Sequence, residues 1–538
     1  MSKDEAADGC VSQQGPPHLL GVAGLVCGER TLSRDQLFDR ANRLARAISG
    51  LGVGKGSSVA LLLRNDIAFF EATLAARALG AYAVPINWHA KPDEVSYVLS
   101  DCQAQVLVAH SDLLGDLEGI GTATGPRVIA TPPPAEHQDV FSIPEELSRV
   151  PSWAMPLEGL IEANEPLDER QRAAPASMIY TSGTTGRPKG VQRPPVTPEQ
   201  AKAIAQVNDA IFDFHPGVRT VIPAPLYHTA PNGYGLSAVL VGATVVLMPR
   251  FDPLELLRTI QAELIDHIQV VPTMLVRLLR LPEDLRGSFD LSSLKHLVHA
   301  AAPCPIEVKK ATIEWLGPIV HEYYGCTESG AITACNSHEW LEHPGTVGKP
   351  LPGAKVVITD EEGNELPPGV PGDVYLHHPA FGSFRYAGAS GTSEIAAEAG
   401  GQHGPTKGMI TCGDIGYLDE DGYLYLCDRR KDMVISGGVN LYPAEIEAAL
   451  LGIEGVEDAA VFGIPDEDLG EVLAAAVQLS PDSRLSPEMI QRLLGERLGK
   501  LKIPRVIEIH ETLPREDSGK IFKRLLKAPY WEGHKGWI

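Results

Sequence analysis

Twelve consecutive residues, Tyr180-Thr181-Ser182-Gly183-Thr184-Thr185-Gly186-Arg187-Pro188-Lys189-Gly190-Val191, gather three glycines, four serine or threonine hydroxyls and a lysine directly behind an apolar run at 176–179. Glycines let backbone N–H groups approach an anion closely, hydroxyls add donors, and a lysine supplies point charge to phosphate. A flexible linker would not need the closing Arg187-Pro188-Lys189. The Walker pattern fails at both ends: Pro188 falls where its second glycine belongs, and Gly190 follows the lysine in place of Ser or Thr. The loop therefore reads as a phosphate cradle of another kind. Four further polar groups stand downstream: Tyr323-Tyr324-Gly325-Cys326-Thr327-Glu328-Ser329, Gly413-Asp414, Asp428-Arg429 and Gly519-Lys520. Taken singly, each reads as a turn.

The elements that must position these groups show an α/β rhythm. Ser33 with Gln36 has the form of a capping box, and Leu37, Ala41, Leu44 and Ile48 mark one helix face behind it. Buried strands are predicted at 58–63, 81–86 and 105–109, with helices at 66–79 and 91–100 between them. Such alternation implies a parallel sheet flanked by helices. The stretch 112–172 is weakly patterned and reads as surface connections. Beyond the glycine loop the rhythm resumes, with helices at 199–212 and 252–263 and strands at 219–224, 238–248, 268–271 and 294–300. Pro/Gly turns from 347 to 376 predict a small β-subdomain, and 386–407 reads as a Gly/Ala/Ser-rich mobile loop. After the charged break at 428–432, helices at 443–450 and 486–498 and strands at 458–462, 471–478 and 505–509 predict a small terminal domain.

The chain has 538 residues, more than one core organises, so two or more domains are expected. Its formal net charge of −23 argues against sequence-independent nucleic-acid binding, which needs basic surface. A local exception runs from Lys502 to Lys527, where seven basic residues outnumber four acidic ones; a nucleotide site and a solvated helix end both fit. None of the eight cysteines forms a C-x-x-C pair or a zinc-type cluster, so reduced, buried thiols and a cytoplasmic location are expected. No signal peptide is expected at the acidic N-terminus. The longest apolar run, 235–248, is too short for a membrane span.

In order and spacing, the loop at 180–191, the segment 428–447 and the segment 518–526 together resemble the adenylate-forming superfamily of acyl-CoA synthetases, aryl-CoA ligases, luciferases and peptide-synthetase adenylation domains. The resemblance extends from about Thr31 to Lys527. It implies a large N-terminal domain of α/β subdomains with parallel sheets and a small β-subdomain (1–428), a hinge at 429–431 that includes Lys431, and a smaller mobile α+β lid (432–538). It further implies that Thr181, Ser182, Gly183, Thr184, Thr185, Gly186 and Lys189 cradle the phosphates of ATP. Thr184 and Glu328 match metal-associated positions, for a Mg²⁺ that prefers oxygen ligands and substrate phosphates. Ala301, Ala302, Pro303, Tyr323, Tyr324, Gly325 and Thr327 match the walls of the nucleotide pocket, and Asp414 and Arg429 the ribose contacts. Lys520 matches the lysine that stabilises charge as a carboxylate attacks the α-phosphorus and pyrophosphate leaves. Domain rotation would then bring Ser436, Gly437 and Gly438 to line a tunnel for coenzyme A.

The same resemblance implies an acyl pocket lined by Asn232, Gly233, Tyr234, His299, Ala300, Cys326 and Gly330, with His228 gating its junction with the thiol entrance. The small residues among them imply room for a bulky or long acyl group. No acidic residue stands in 225–234 to hold an α-ammonium group, which counts against an amino-acid substrate. The expected reaction is that of an acyl-CoA synthetase acting on a hydrophobic carboxylic acid, medium- or long-chain, aromatic or polycyclic. A free-standing loader of an acyl carrier protein is the alternative, with no carrier domain expected on this chain. A non-catalytic nucleotide-binding protein fits less well with Lys189, Glu328, Asp414, Arg429 and Lys520 all present. The expected partners are small molecules, without nucleic acid or a membrane span, and an oligomer stays open. Three departures from the family pattern stand out: Cys412 where relatives carry threonine, the Gly/Ala-rich 386–407 stretch, and His299-Ala300-Ala301-Ala302 in place of small glycines.

Overall fold

The computed structural model describes residues 24–121, 125–167, 175–181, 188–388, 404–515 and 521–532. Ser182, Gly183, Thr184, Thr185 and Gly186 of the glycine loop, Lys520, and most of the 386–407 stretch lie outside the described residues.

Two sheets carry the first three hundred residues. One has five strands, all parallel, in the order Tyr82–Pro85, Ser58–Leu62, Ala104–His110, Arg127–Thr131, Met155–Pro156. The other has nine strands. Its parallel centre runs Gly24–Cys27, Thr244–Leu247, Arg219–Ile222, His267–Val270, His296–His299, Val320–Cys326, and its edges are antiparallel. One core cluster draws Val59, Leu61 and Val106 from the first sheet and Leu25, Ile222 and Val245 from the second. The helices Arg34–Gly50 and Ile67–Ala78 lie in that shared core. Every residue from Ile67 to Ala76 is buried, which is why this helix is apolar all round instead of amphipathic. The capping box forms as expected: Ser33 Oγ accepts from Gln36 N at 3.2 Å, and Gln36 Oε1 accepts from Ser33 N at 2.9 Å.

Two expectations are corrected. The stretch 238–248 is not one strand: a helix, Thr229–Val241, ends at Gly242, whose φ of 94° suits glycine, and the strand is only Thr244–Leu247. A Cβ on Gly235 would approach Phe70 Cζ to 3.1 Å, so the small residue lets this helix pack closely on its neighbour. The stretch 112–172 is not merely connective. It supplies the outer strands Arg127–Thr131 and Met155–Pro156 and the helices Ala135–Phe141 and Leu157–Glu162.

The β-subdomain is a four-stranded antiparallel sheet, Lys355–Thr359, Gly372–His377, Ile410–Leu418, Leu424–Arg429. A last sheet joins Val439–Leu441, Val434–Ser436, Gly470–Leu479 and Val456–Asp466, with Val506–His510 parallel to Gly470–Leu479. Helices Pro443–Leu451 and Pro487–Gly495 cover one face, and Lys523–Trp531 packs against Val456–Asp466 on the other. The architecture is α/β with a β-subdomain and a smaller α+β terminal unit. Among the described residues no helix is long and apolar enough to cross a membrane.

Candidate active site

The glycine loop is flanked by a hairpin. Ile179–Thr181 pairs antiparallel with Lys189–Gln192, with Thr181 opposite Lys189 and Thr181 Oγ1 donating to the Lys189 carbonyl at 3.4 Å. A third strand, Arg385–Tyr386, lies against the second. Gly190 is required here, because a Cβ would meet the Tyr180 ring at 2.7 Å. Tyr180 in turn donates to Asp101 Oδ2 at 2.6 Å, and burial with this carboxylate partner pushes its phenol far above the usual range.

Strand Val320–Cys326 carries the second group. Its pleat sends successive side chains to opposite sides. Tyr323 packs edge-on to Phe212, 5.9 Å between ring centres, in the shared core. Tyr324 faces the β-subdomain and donates to Asp414 Oδ2 at 2.6 Å. Burial, with Asp414 adding to it, raises the Tyr324 phenol well above its ordinary value, so it stays a donor. Asp414 and Arg429 are register partners on neighbouring strands, with Arg429 Nε 3.4 Å from Asp414 Oδ1. Gly325 allows a close backbone approach: a Cβ there would fall on the Gly330 carbonyl.

The turn after this strand joins the two halves. Tyr386 donates to Glu328 Oε1 at 3.2 Å, and Lys189 Nζ lies 5.0 Å from the centre of the same Tyr386 ring. Thr327 Oγ1 is 2.7 Å from Thr229 Oγ1, which ties the turn to the first residue of helix Thr229–Val241, whose N-cap is His228. Arg193, which sequence reading missed, reaches the same turn from just past the Lys189 strand. Its guanidinium donates to the carbonyls of Thr327 (3.1 Å), Glu328 and Phe381. Burial pushes it down to about 10, against the pull of Glu328. The only signal in the sequence was its position two residues beyond the loop motif. Ala301, in the exposed run Ala301-Ala302-Pro303 at the end of strand His296–His299, has φ 76°, a left-handed conformation uncommon for a residue with a Cβ.

Several expected pocket residues are placed in the core. Tyr234 Oη is 2.8 Å from Thr220 Oγ1, and the ring packs among Phe212 and Phe214. Asn232 donates to the Leu226 carbonyl at 3.0 Å. His299 is fully buried, 3.6 Å from Glu322, and burial keeps it neutral, well below the ordinary imidazole value. Ala300 is also buried. At Gly330 the Phe381 ring occupies the space, 2.4 Å from where a Cβ would stand, so that glycine opens no room for substrate. Gly233 alone of these glycines faces open space, with nothing within 4 Å of a built Cβ. Cys326 corrects the expectation of reduced thiols throughout: it is disulfide-bonded to Cys412, with Cα atoms 6.7 Å apart. The five free cysteines identified are Cys27, Cys102, Cys304, Cys335 and Cys427.

The terminal unit shows a similar division. Gly437 and Gly438, at φ 57° and 82°, form the two-residue turn between strands Val434–Ser436 and Val439–Leu441; Ser436 is buried and both glycines are exposed. Lys431 is exposed, whereas Arg430 beside it binds Asp373 with two bonds of 2.8 and 2.6 Å. Of the basic residues at 502–527, Lys502, Arg505, Arg515, Lys523 and Lys527 pair with Glu445, Asp466, Asp458, Glu447 and Glu471. These pairs hold the unit together, which favours the structural reading of that basic excess.

The profile of the AMP-binding enzyme family matches residues 20–384, and that of the AMP-binding enzyme C-terminal domain matches 445–520. The chain belongs to the AMP-binding enzymes. This AMP-binding enzyme is 31% identical to the long-chain-fatty-acid–CoA ligase FadD13 of Mycobacterium tuberculosis over 92% of each chain. It is 30% identical to the fatty acid–[acyl-carrier-protein] ligase ScoC of Streptomyces coeruleorubidus, over 94% of this chain and 93% of that one. In structure it is similar to the o-succinylbenzoate CoA synthetase of Bacillus subtilis in complex with its acyl-adenylate intermediate, with TM-score 0.75, 28% identity and 97% of each chain covered.

Proposed function

We propose that this enzyme activates a hydrophobic carboxylic acid with ATP as an acyl-adenylate and then transfers the acyl group to the thiol of coenzyme A, in the cytoplasm. The observation that carries the reading is one strand and turn, 320–329, that serves two clusters at once. Tyr324 orients Asp414 beside Arg429, while Glu328 meets Tyr386 beside Lys189. The first cluster offers a carboxylate acceptor and a cation suited to ribose hydroxyls. The second offers a lysine for phosphate and a carboxylate oxygen of the hard type that Mg²⁺ prefers. Glu328 would hold that ion, which supplies charge neutralisation on the phosphates when ATP is bound. Lys189 and the loop hydroxyls orient the phosphates for in-line attack by the substrate carboxylate, and Lys520 stabilises the charge that gathers at the α-phosphorus. In the second step the thiol attacks the acyl carbon and AMP departs, with Gly437 and Gly438 beside the incoming arm.

The test is acid-dependent exchange of labelled pyrophosphate into ATP, followed by thioester formation on adding coenzyme A. Lys520→Ala is expected to lower exchange by about a hundredfold or more and largely to spare thioester formation from supplied acyl-adenylate. Equal loss of both steps would overturn its role. The likeness to ScoC supports a second reading, in which an acyl carrier protein is the acceptor. Offering coenzyme A and a phosphopantetheinylated carrier to the same acyl-adenylate separates the two.

A further inference from the structure

The nine-stranded sheet has a second chemical cluster at its other end. Strands His267–Val270 and His296–His299 are parallel, with His267 and His296 as first residues in direct register. The run Ala301-Ala302-Pro303 leaves the opposite end, about 15 Å away at strand rise. Both imidazoles are at least nine-tenths buried. Asp213 completes the group from the left-handed C-cap of helix Pro198–Phe212, at φ 51°.

The hydrogen bonds fix where the lone pairs point. His267 Nδ1 donates to Asp266 Oδ1 at 2.7 Å, and the same oxygen accepts from Arg219 N at 3.0 Å, which holds the carboxylate in place. His267 Nε2 is thereby the acceptor nitrogen; it is buried and has no hydrogen-bond partner. His296 Nε2 donates to the Ile211 carbonyl at 2.8 Å, leaving Nδ1 with its lone pair. One donor atom from each of Asp213, His267 and His296 lies within 4.8 Å of the others. Imidazoles whose outer N–H is held by a carboxylate or a carbonyl are the arrangement that metal-ligating histidines use. His321 stacks on His296 with ring centres 4.1 Å apart, which restricts its rotation.

We propose that Asp213, His267 and His296 form a binding site for a divalent transition-metal ion of the zinc class, with water completing the shell. Two imidazoles and a carboxylate suit Zn²⁺, Co²⁺ or Ni²⁺, whereas Mg²⁺ takes oxygen ligands. The site is thus distinct in chemistry and place from the ion that accompanies ATP. Its role is that of a staple, joining the end of helix Pro198–Phe212 to two core strands. A second His-containing group, Cys27, Glu136 and His137, is less suited to a cation, because Arg30 already pairs with Glu136 at 3.1 Å.

Full-length protein stripped with chelator is titrated with Zn²⁺ against a chromophoric competitor, and with Co²⁺ followed by its visible ligand-field absorption. One ion per chain is expected, undisplaced by millimolar Mg²⁺, with a rise in thermal midpoint when Zn²⁺ is added. Asp213→Asn is the decisive variant, because Asn tolerates the left-handed backbone and the side chain is exposed. It is expected to keep the metal-free midpoint and the Mg²⁺-supported pyrophosphate exchange while Zn²⁺ affinity drops at least about tenfold. Asp266→Asn, acting through His267, is expected to weaken binding by about 10–100-fold. Substoichiometric binding, or wild-type Zn²⁺ affinity in both variants, would overturn the site.

Discussion

Asp414 and Arg429 lie in separate motifs and meet only because two antiparallel strands place them in register. Residue types and motif order marked both, but the Tyr324 phenol on Asp414 could not be read from them. Tyr324 is expected as a wall for a purine, and its hydroxyl also donates to the carboxylate of Asp414. Tyr324→Phe removes a hydrogen bond to a charged group, worth about 1.5–3 kcal/mol. If Asp414 binds ribose, the KM for ATP in pyrophosphate exchange should rise about tenfold or more, with little change in kcat, because ribose binding is the same in ground and transition states. An unchanged KM would separate this pair from the nucleotide. Arg193 was illegible for a related reason: its targets are backbone carbonyls, which carry no sequence signature.

At the scale of elements, the alternating strands and helices from Arg34 to Ala109 were legible, because each strand there is a short apolar run bounded by turn residues, whereas the strands Gly24–Cys27 and Arg30–Ser33, in a Gly-rich stretch that reads as loose, were not. Helix Thr229–Val241 was not. It buries one side, with Pro231, Tyr234, Gly235, Ala238 and Val239, but its exposed side carries Gly233, Leu240 and Val241, so it lacks the polar face that would have shown a helical period, and its apolar end runs into a strand. The turn at Gly437-Gly438 shows how two causes leave one trace. A slender thiol arm would favour glycines there, but the positive φ of both residues already demands them. Gly437→Asn, which tolerates that backbone, and Gly437→Leu, which does not, divide the causes. The tunnel role predicts that Leu selectively slows the coenzyme A step while Asn has a smaller effect, and that pyrophosphate exchange survives in both. Equal thermal destabilisation without a selective loss of thioester formation would leave only the turn. The basic excess near the C-terminus gave a similarly mixed signal, and here the ion pairs favour the structural cause.

At the scale of the whole molecule, two sheets enclose neutral histidines, and this couples stability to pH. His137 is fully buried with neither ring nitrogen hydrogen-bonded, and burial lowers it from 6.5 to about 3, with His110 and Arg64 adding to the shift and Asp66 and Glu136 opposing it. The unfolded chain binds a proton that the folded chain refuses. Stability is therefore complete above the ordinary imidazole value and is lost as the pH falls from there toward about 3, by up to about 1.4 kcal/mol per pH unit. His299 acts in the same direction, while Glu322, raised by burial, opposes it at lower pH. Thermal midpoints taken near neutrality and at about pH 5 should fall in the wild type and fall less in His137→Phe. An equal fall in both would assign the acid sensitivity elsewhere.

The bond between Cys326 and Cys412 spans 86 positions and closes a ring of chain that includes two strands of the β-subdomain, Lys355–Thr359 and Gly372–His377, and the start of a third. A protease that cuts this chain once, anywhere from 327 to 411, would therefore release no fragment without a reductant. The nicked molecule would run as one species on a non-reducing gel, with Tyr324 and Asp414 still carried on covalently joined strands, and as two after reduction.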